Sequence, residues 1–329
     1  MIGDLPDLIF HIKDQDSFSA AALEVFKFQS GNNPVYREFI SSLGKNRDEI
    51  SDIRDIPFLP VELFKRREVI AENLHVEIVF ESSRTSGKDA SRHFVHDLRI
   101  YEQSFISSFR LFYGDPSDYY IAALLPSYTE RQGSSLIYMM DCLIRNSLNK
   151  KTGFYSNSFK DLIADLKAAR DEGLKTMLVG VSFALLDLAE THAPDLSGTI
   201  VMETGGMKGR RKEITRAELH NILKQKLNLK SVHSEYGMTE LMSQAYSAGE
   251  GIFYTPPWMK IMIREQQDPL TLISESGKTG GINIIDLANL YSCSFLSTSD
   301  YGKLYEDGSF EVLGRFDNSD IRGCNLMTE

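Results

Sequence analysis

Three patterns of apolar and polar residues follow one another along the chain. In the N-terminal quarter, apolar positions recur at helical spacing, and Asp16 or Ser17 is placed to cap a helix that stops near residues 31–34. A second helix is predicted after Pro34. The segment 56–70 reads IPFLPVELFKRREVI, and its two prolines predict an irregular connector.

From residue 77 onward, short apolar runs alternate with amphipathic segments, which is typical of βα units around a mostly parallel sheet. The runs predicted to be buried strands are VEIVF (76–80), YYIAALLP (119–126), TMLVGVS (176–182) and TIVMETGG (199–206). Helices are predicted near 97–112, over FKDLIADLKAA, and over TRAELHNILKQKL, which opens with a capping box from Thr215 to Glu218.

After residue 250 the chain is rich in predicted strands. They include WMKIMI, GGINIIDL and a hairpin that turns at residues 306–309. The pattern therefore predicts an α/β fold in which a helical region over residues 1–75 packs on an α/β core over residues 76–329, with a β-rich segment and a short tail at its end.

Composition narrows the class of protein. The 329 residues are 42% hydrophobic and 25% charged, as in a folded globular protein and unlike a disordered chain. A net charge of -10 argues against a protein whose main task is binding nucleic acid. Three cysteines without CxxC or CxxH spacing predict neither a disulfide framework nor a zinc site. No apolar run reaches membrane-spanning length and no signal-peptide pattern is found, so we expect a cytoplasmic protein without membrane insertion.

Three segments carry polar and charged residues of the kind found in binding and catalytic sites. The first, FESSRTSGKDASRH (80–93), places hydroxyl groups, a glycine and two cations after a predicted strand, which suits a polyphosphate. It is not a Walker loop, because Lys88 is followed by Asp89 and the first glycine of that motif is missing. The alternative interpretation is a solvated turn rich in serine.

The second segment is HSEYGMTELMSQAY (233–246). Tyr236 and Gly237 offer a flat face and a close backbone approach to a base, whereas Thr239 offers a hydroxyl to a phosphate and Glu240 an oxygen to Mg²⁺. By composition alone it could equally be an ordinary loop.

The third segment covers residues 297–327. Asp300 precedes a glycine turn and is placed to accept hydrogen bonds from ribose hydroxyls, and Arg315 is placed to reach a phosphate. The alternative is that these are solvated charges of a hairpin.

In this order, the three segments resemble the motifs of the adenylate-forming superfamily, which includes the acyl-CoA synthetases. SSRTSGKD is similar to its phosphate loop SSGTTGKP, YGMTE is identical to a common form of its nucleotide motif, and SDYG with LGRFDNSDIRG is similar to its ribose-binding aspartate and its hinge. Within the superfamily the chain resembles the LuxE-type acyl-protein synthetases, which activate fatty acids for reduction to aldehydes in bacterial bioluminescence. The segments that carry this resemblance are IPFLPVELFK, LPSYTERQGSSLIYMM, VGVSFALL, METGGMKGRR and RGCNL.

The resemblance implies the large-domain fold of adenylate-forming enzymes and assigns roles to individual positions. The residues that would surround the β- and γ-phosphates of ATP are Ser83, Thr85, Ser86, Gly87 and Lys88. Thr239 and Glu240 would address the α-phosphate and Mg²⁺, and Asp300 with Arg315 would hold the ribose. The residues that would contact adenine are Gly205 and Gly206 through their backbone, and Tyr236 by covering the base. Lys208, Arg210 and Arg211 are candidate phosphate or partner contacts, with a merely solvated basic loop as the alternative.

Two features depart from the superfamily. Arg84 stands where a glycine is usual, so the loop loses backbone freedom and gains a cation that suits pyrophosphate. The hinge is one residue shorter, and the chain stops before the small C-terminal domain that normally brings the catalytic lysine. The LuxE-type family shares this omission, which leaves the adenylation lysine unassigned.

The implied reaction is attack of a carboxylate on the α-phosphorus of ATP with Mg²⁺, followed by transfer of the acyl group to a cysteine of this protein and then of a partner acyl reductase. Cys324, near the end of the sequence, is the candidate acyl carrier. Residues 180–186 and 254–258 are candidate walls of an apolar acyl pocket. Three alternatives stay open: transfer to coenzyme A, a non-catalytic nucleotide- or acyl-binding subunit of a multienzyme complex, and a hydrolase with Ser182 of GVSFA as nucleophile.

Overall fold

The computed structural model describes residues 5–82, 90–126, 133–151, 153–156, 158–205, 211 and 214–315. Its first helices are α1 (Leu5–Phe10), α2 (Gln15–Asn32) and α3 (Pro34–Ser42). The cap of α2 is Asp14 rather than Asp16 or Ser17, because the Asp14 carboxylate accepts a 2.8 Å hydrogen bond from the Ser17 amide. The predicted helix after Pro34 is confirmed as α3, and Asn33 caps it.

A five-stranded sheet forms the centre of the α/β part. Its strands, in spatial order, are β4 (Tyr119–Leu124), β5 (Lys175–Gly180), β6 (Thr199–Glu203), β7 (His233–Tyr236) and β8 (Ala245–Ser247). The first four run parallel and β8 is antiparallel to β7. The helices that alternate with them are α4 (Leu98–Tyr113), α5 (Ser135–Arg145), α6 (Phe159–Asp171), α7 (Ser182–Thr191) and α8 (Arg216–Leu227). Every residue of β4 is buried, as expected for a strand covered by helices on both faces.

A second, mostly antiparallel sheet contains the predicted C-terminal strands. Its members are β1 (Leu59–Pro60), β9 (Ile252–Phe253), β10 (Met259–Arg264), β11 (Leu272–Ile273), β12 (Thr279–Asp286), β13 (Phe295–Leu304) and β14 (Phe310–Arg315). The predicted hairpin is confirmed as the antiparallel pair of β13 and β14. The predicted connector adds β1 to this sheet by parallel pairing with β13.

The strand predicted at residues 76–80 is wrongly assigned to the parallel sheet. It is β2 (Ile78–Glu81), and it pairs antiparallel with β3 (Arg92–Val95) in a separate two-stranded sheet. The short connection between them explains the difference, since a parallel pair needs a long crossover and an antiparallel pair does not.

The N-terminal helices pack on the β-rich part of the molecule. The buried side-chain amide of Gln29 donates hydrogen bonds to the carbonyls of Asn289 (2.9 Å) and Leu290 (2.8 Å). The ring of Phe26 lies edge-on to Phe295 of β13, at 6.0 Å between centroids. No helix in the described part of the chain is both long enough and apolar enough to cross a membrane.

Candidate active site

Asp300 joins the two larger sheets. It lies on β13 directly opposite Arg315 of β14, and Nε of Arg315 is 3.1 Å from its Oδ1. From the other sheet, the hydroxyl of Tyr236 at the end of β7 donates a 2.7 Å hydrogen bond to its Oδ2. Asp300 is only 5% exposed. The structure thus brings together three side chains that the sequence places in two separate motifs.

Tyr236 and Arg315 approach Asp300 from different environments. The ring of Tyr236 is buried edge-on against Phe253 and Phe310, at centroid distances of 6.0 and 5.6 Å. Burial and the neighbouring Asp300 charge raise the pKa of Tyr236 well above its ordinary value, so its hydroxyl stays a donor. The Arg315 side chain is 79% exposed, and the charge of Asp300 raises its pKa. Arg315 is therefore a permanent cation that can reach a bound anion from the surface.

The turn that carries Thr239 and Glu240 is held through its main chain. Nδ1 of His93 donates a 2.8 Å hydrogen bond to the Thr239 carbonyl, and Nδ2 of Asn289 donates one of 2.7 Å to the Glu240 carbonyl. Burial lowers the pKa of His93 to about 4, so its imidazole is neutral at pH 7. A carbonyl can only accept, which places the proton on Nδ1.

Asp286, at the end of β12, holds the next part of the same turn. Its carboxylate accepts hydrogen bonds from the amides of Met242 (2.8 Å) and Ser243 (3.0 Å) and from the Ser243 hydroxyl (2.6 Å). Nε1 of Trp258 donates to that hydroxyl at 3.0 Å. Burial raises the pKa of Asp286 to about 6 despite these donors. Asn289 and Asp286 lie outside the three segments that the sequence singles out, and His93, the last residue of the first segment, received no role from the sequence.

The Glu240 carboxyl lies beside a serine and two cations. The residue is 8% exposed, and burial raises its pKa, although a hydrogen bond to Ser91 and the charges of Arg315 and Lys65 oppose the shift. Lys65 is half-buried and forms no ion pair with any residue in the described ranges. Since burial disfavours the charged form of this carboxyl, a further positive charge beside it, such as a metal ion, would stabilise that form.

Lys65 reaches this place on a short helical turn, Val61–Lys65, within the predicted connector. In this turn Glu62 accepts a hydrogen bond from Ser299, the residue before Asp300. The ring of Phe64 packs edge-on against His93 at 5.6 Å. The connector therefore contacts both the Asp300 strand and the side chain that holds Thr239, which the sequence did not reveal.

Glu203, at the end of β6, organises the backbone near Gly205. Its Oε2 accepts a 2.7 Å hydrogen bond from the Gly205 amide, and its Oε1 lies 3.3 Å from Nε of Arg216. Burial disfavours its charge, but hydrogen bonds from His220, Ser234 and Gly205 and the charge of Arg216 prevail and lower its pKa to about 2. Gly205 adopts φ of 78°, a left-handed conformation that favours glycine.

Ser182 does not have the surroundings of a hydrolase nucleophile. Its buried hydroxyl donates to Glu203 Oε2 at 3.3 Å rather than to a histidine. Glu203 is an ionised carboxylate already engaged by Arg216 and Gly205. This arrangement does not provide the basic imidazole that activates serine in such enzymes.

Gly237 lies beside the carboxyl of Glu235. A Cβ atom at this position would lie 2.3 Å from Oε1 of Glu235, so that carboxyl occupies the space over its Cα. A larger residue here would need the flexible end of the Glu235 side chain to shift. A close approach of a nucleotide base to Gly237 stays a prediction.

Part of the predicted site lies outside the described residues. These positions are Ser83, Arg84, Thr85, Ser86, Gly87, Lys88, Gly206, Lys208, Arg210 and Cys324. Arg211 is described, and it pairs with Asp187 and, at 2.8 Å, with Glu190, which leaves less of its charge for a phosphate. Burial raises the pKa of Cys142 and, to about 12, that of Cys293, so neither is a reactive thiolate.

An apolar cavity lies between helices α4 and α5 and the five-stranded sheet. Each of the five strands contributes a lining residue, and the lining includes four methionines, Tyr246 and Glu235. Neither 180–186 nor 254–258, the predicted walls of an acyl pocket, lines it.

The described residues contain no cluster of three or more histidine, cysteine or acidic side chains that could hold a metal ion. Among the described residues, Glu240 could therefore supply one oxygen ligand to a metal ion. Phosphate and water oxygens would supply the other ligands. Mg²⁺ bound with a nucleotide commonly has such a sphere, so the donor set fits this ion.

Comparison with known proteins identifies the fold. No protein-family model matches the sequence, and the search of curated proteins found no match. An open conformation of 2-hydroxyisobutyryl-CoA ligase in complex with 2-HIB-AMP and CoA is similar over 93% of this chain and 77% of its own, with a TM-score of 0.66 and 11% identity. ATP-bound MatB from Rhodopseudomonas palustris matches over 86% and 58%, with a TM-score of 0.53 and 14% identity. An ATP-bound RpMatB-BxBclM chimera matches over 76% of this chain, with a TM-score of 0.53 and 15% identity.

The chain has the large-domain fold of the adenylate-forming ligases, as its sequence predicted. It spans about half the length of the chimera (49%) and about three quarters of the 2-hydroxyisobutyryl-CoA ligase (77%). At these identities the similarity identifies the fold alone, and the LuxE-type resemblance stays a prediction.

Proposed function

We propose that this protein activates a carboxylic acid with ATP, forming an acyl adenylate and releasing pyrophosphate. The observation that carries the proposal is the convergence of Tyr236, Asp300 and Arg315, within the fold of the adenylate-forming ligases. Glu240, the end of the YGMTE motif, lies close enough for the charge of Arg315 to act on its pKa. One surface therefore offers acceptors for a ribose, a cation for phosphate and a carboxyl for a metal ion.

Asp300 keeps capacity for a ribose although both its oxygens already accept hydrogen bonds. Each carboxylate oxygen has two lone-pair sites, and the described partners, Tyr236 and Arg315, use one on each. Two ribose hydroxyls can therefore donate to the remaining sites. The Tyr236 bond orients the carboxylate before the nucleotide arrives, which reduces the entropy lost on binding.

Mg²⁺ would be held by Glu240 together with the phosphates. When bound it would neutralise negative charge that spreads over the phosphate oxygens. Lys65 and Arg315 would act on the same charge from the protein side, since both lie within electrostatic reach of Glu240. We therefore assign to Lys65 a part in stabilising the charge that develops on the phosphates.

The reaction requires little acid-base chemistry. An oxygen of the substrate carboxylate bonds to the α-phosphorus, and the bond from that phosphorus to the bridging oxygen breaks as pyrophosphate leaves. A thiol sulfur then bonds to the acyl carbon, its proton passes to solvent, and AMP leaves. Orientation and charge stabilisation are the main contributions that the protein makes to such a transfer.

The thiol is proposed to be Cys324, and then a cysteine of a partner acyl reductase, as in the LuxE-type family. The acid is proposed to have a fatty, largely apolar chain, as the resemblance to the LuxE-type family implies. Of the other cysteines, Cys142 and Cys293 are both buried and are poor acceptors. Coenzyme A is the second candidate acceptor, since one structure with this fold contains 2-HIB-AMP and CoA.

The test is pyrophosphate release from ATP and Mg²⁺ with a panel of radioactive acids from short to long chains, followed by analysis of the protein for label. Release with labelling that is lost in Cys324→Ser supports an acyl-protein synthetase. Release without labelling moves the acceptor to coenzyme A or to a partner. ATP binding without release for any acid would replace the proposal by a non-catalytic subunit.

A metal-dependence experiment tests the assignment of Glu240. Glu240→Gln keeps the size of the side chain but removes its charge, so release should need a higher Mg²⁺ concentration. Glu306→Gln, at an exposed hairpin turn, is the matched control. An unchanged Mg²⁺ dependence in Glu240→Gln would contradict the metal assignment.

A further inference from the structure

Arg216 joins the two larger sheets at a second point, apart from the one that Asp300 forms. It is the first residue of α8, and the capping box of Thr215 and Glu218 begins this helix directly before it. A cation at this end of a helix faces the positive end of the helix dipole, which disfavours it. Helix formation therefore gives no reason for an arginine here, and its contacts with the rest of the molecule do.

The guanidinium of Arg216 binds one group from each sheet. Its Nε donates a 3.3 Å hydrogen bond to Oε1 of Glu203, at the end of β6. Its Nη1 donates one of 2.8 Å to the main-chain carbonyl of Val312, on β14. The Arg216 side chain is only 29% exposed, so water screens these contacts incompletely. A planar guanidinium has donors in several fixed directions and can make both hydrogen bonds at once.

Arg216 is itself held in one orientation. Glu203 is buried, and its other carboxylate oxygen accepts a 2.7 Å hydrogen bond from the Gly205 amide. The guanidinium carbon lies 5.0 Å from the centroid of the buried Phe253 ring. With a fixed carboxylate at Nε and a fixed ring against its face, the guanidinium presents Nη1 to Val312 in one direction.

The pairing of β14 with β9 ends where the contact with Arg216 begins. Among the described residues, β9 pairs with β14 only at Phe310 and Glu311. The next residue of β14 is Val312, and its carbonyl accepts the hydrogen bond from Arg216. A side chain thus supports this strand from the point at which the pairing with β9 stops.

The supported residue lies directly before an irregularity in β14. The pairing of β13 with β14 shifts by one residue after Val312, and Leu313 is the extra residue. Such an extra residue bends its strand and changes the direction of the side chains that follow. Arg315 comes two residues later and contacts Asp300 from this bent end. The direction of Arg315 therefore depends on where Val312 is held.

We propose that Arg216 is a positioning residue for the nucleotide, which holds β14 at Val312 and so aims Arg315 at the bound phosphate. Loss of Arg216 would leave Arg315 in place in the sequence but let the bent end of β14 move. Nucleotide binding would then weaken although no direct contact with the nucleotide had been removed. The inference rests on the proposed function, because that function places the nucleotide beside Asp300 and Arg315.

The experiment measures AMP binding by calorimetry to the wild type, Arg216→Lys and Arg216→Met. Lysine keeps a positive charge for the buried Glu203 but lacks the planar fork that binds Glu203 and Val312 together. Arg216→Lys should therefore stay folded and bind AMP about tenfold more weakly than the wild type. Arg216→Met should bind AMP at least as weakly and unfold at a lower temperature, since Glu203 loses its cation. Equal AMP affinity of the wild type and Arg216→Lys would overturn the proposal.

A double-mutant cycle tests whether Arg216 acts through Arg315. Arg315→Gln alone should weaken AMP binding, because it removes a cation placed to reach the phosphate. If Arg216 aims that side chain, adding Arg216→Lys to Arg315→Gln should weaken AMP binding by less than about twofold further. Losses that multiply in the double variant would overturn the proposed path through β14.

Arg170→Lys is the matched control. Arg170, on α6, also fastens a main-chain segment, since its guanidinium donates to the carbonyls of Asp195 (3.1 Å) and Ser197 (3.0 Å). This segment precedes β6, whereas Glu203 lies at the other end of that strand. Arg170→Lys should leave AMP affinity unchanged. A loss as large as that of Arg216→Lys would indicate a general effect on folding and overturn the proposal.

AMP binding requires neither an acid nor turnover, so it separates this proposal from the proposed function. If the wild type binds AMP but releases no pyrophosphate with any acid, the adenylation proposal fails, and the Arg216 variants still decide the role of Arg216. If the wild type releases pyrophosphate and Arg216→Lys binds AMP normally, only the role of Arg216 is overturned. A wild type that does not bind AMP would overturn both.

Discussion

The side-chain amide of Asn289 donates a 2.7 Å hydrogen bond to the main-chain carbonyl of Glu240. This contact holds the last residue of the YGMTE motif through its backbone and leaves its carboxyl free to face Ser91 and the cations. The motif is thus positioned by residues far away in the sequence. His93 and Asp286 act on the same turn in the same way.

Replacement of Asn289 by leucine should loosen the turn. The Glu240 carbonyl would lose its donor inside the protein, which should cost about 1–3 kcal/mol of unfolding free energy. Mg²⁺-dependent pyrophosphate release should fall together with stability. Urea unfolding and the release assay measure the two effects, and Asn221→Leu on the exposed side of α8 is the control. Unchanged release in Asn289→Leu would show that the turn needs no such support.

Lys65→Gln should slow the release of pyrophosphate. One of the two cations that act on Glu240 is removed, and loss of one group that stabilises charge in a transition state commonly costs about 100-fold in kcat. Lys65→Arg should recover part of the rate. The neighbouring Arg66 is exposed, so Arg66→Gln provides a control with the same change in net charge. Equal rates in Lys65→Gln and Arg66→Gln would contradict a role for Lys65.

Tyr236→Phe removes the hydroxyl that orients Asp300. A hydrogen bond to a charged group contributes about 1.5–3 kcal/mol, so the variant should be less stable by a similar amount. AMP should also bind more weakly, because the carboxylate is no longer held in place. Calorimetric titration with AMP checks this, with the half-exposed Tyr254→Phe as control. Equal AMP affinity in both variants would indicate that Asp300 does not contact the ribose.

Glu203 should contribute to stability in a defined range of pH. Its pKa is about 2 in the folded protein against an ordinary value of 4.5, so its contribution is complete above about 4.5 and is lost as the pH falls toward 2. Glu203→Gln should therefore lose less stability than the wild type between these values. The fluorescence of Trp258, the single tryptophan, can follow unfolding. Parallel stability curves for the two proteins would exclude this contribution.

Local elements were predicted well because neighbouring residues specify them. The capping box of Thr215 and Glu218 begins α8 as predicted, and the hairpin turns at residues 306–309 between β13 and β14. The cap of α2 was predicted at the wrong residue, since Asp14, Asp16 and Ser17 all suit a cap and the sequence does not show which oxygen reaches an amide. The structure assigns that role to Asp14.

The sequence by itself determined the α/β class, most strands and helices, and the motif residues Tyr236, Glu240, Asp300 and Arg315. These follow from hydrophobic periodicity, turn residues and short patterns, all of which are local. Only the tertiary structure decided how they meet, because the hydrogen bonds that bring them together join residues far apart in the sequence. Tyr236 and Asp300 are 64 positions apart, and His93 and Thr239 are 146 apart.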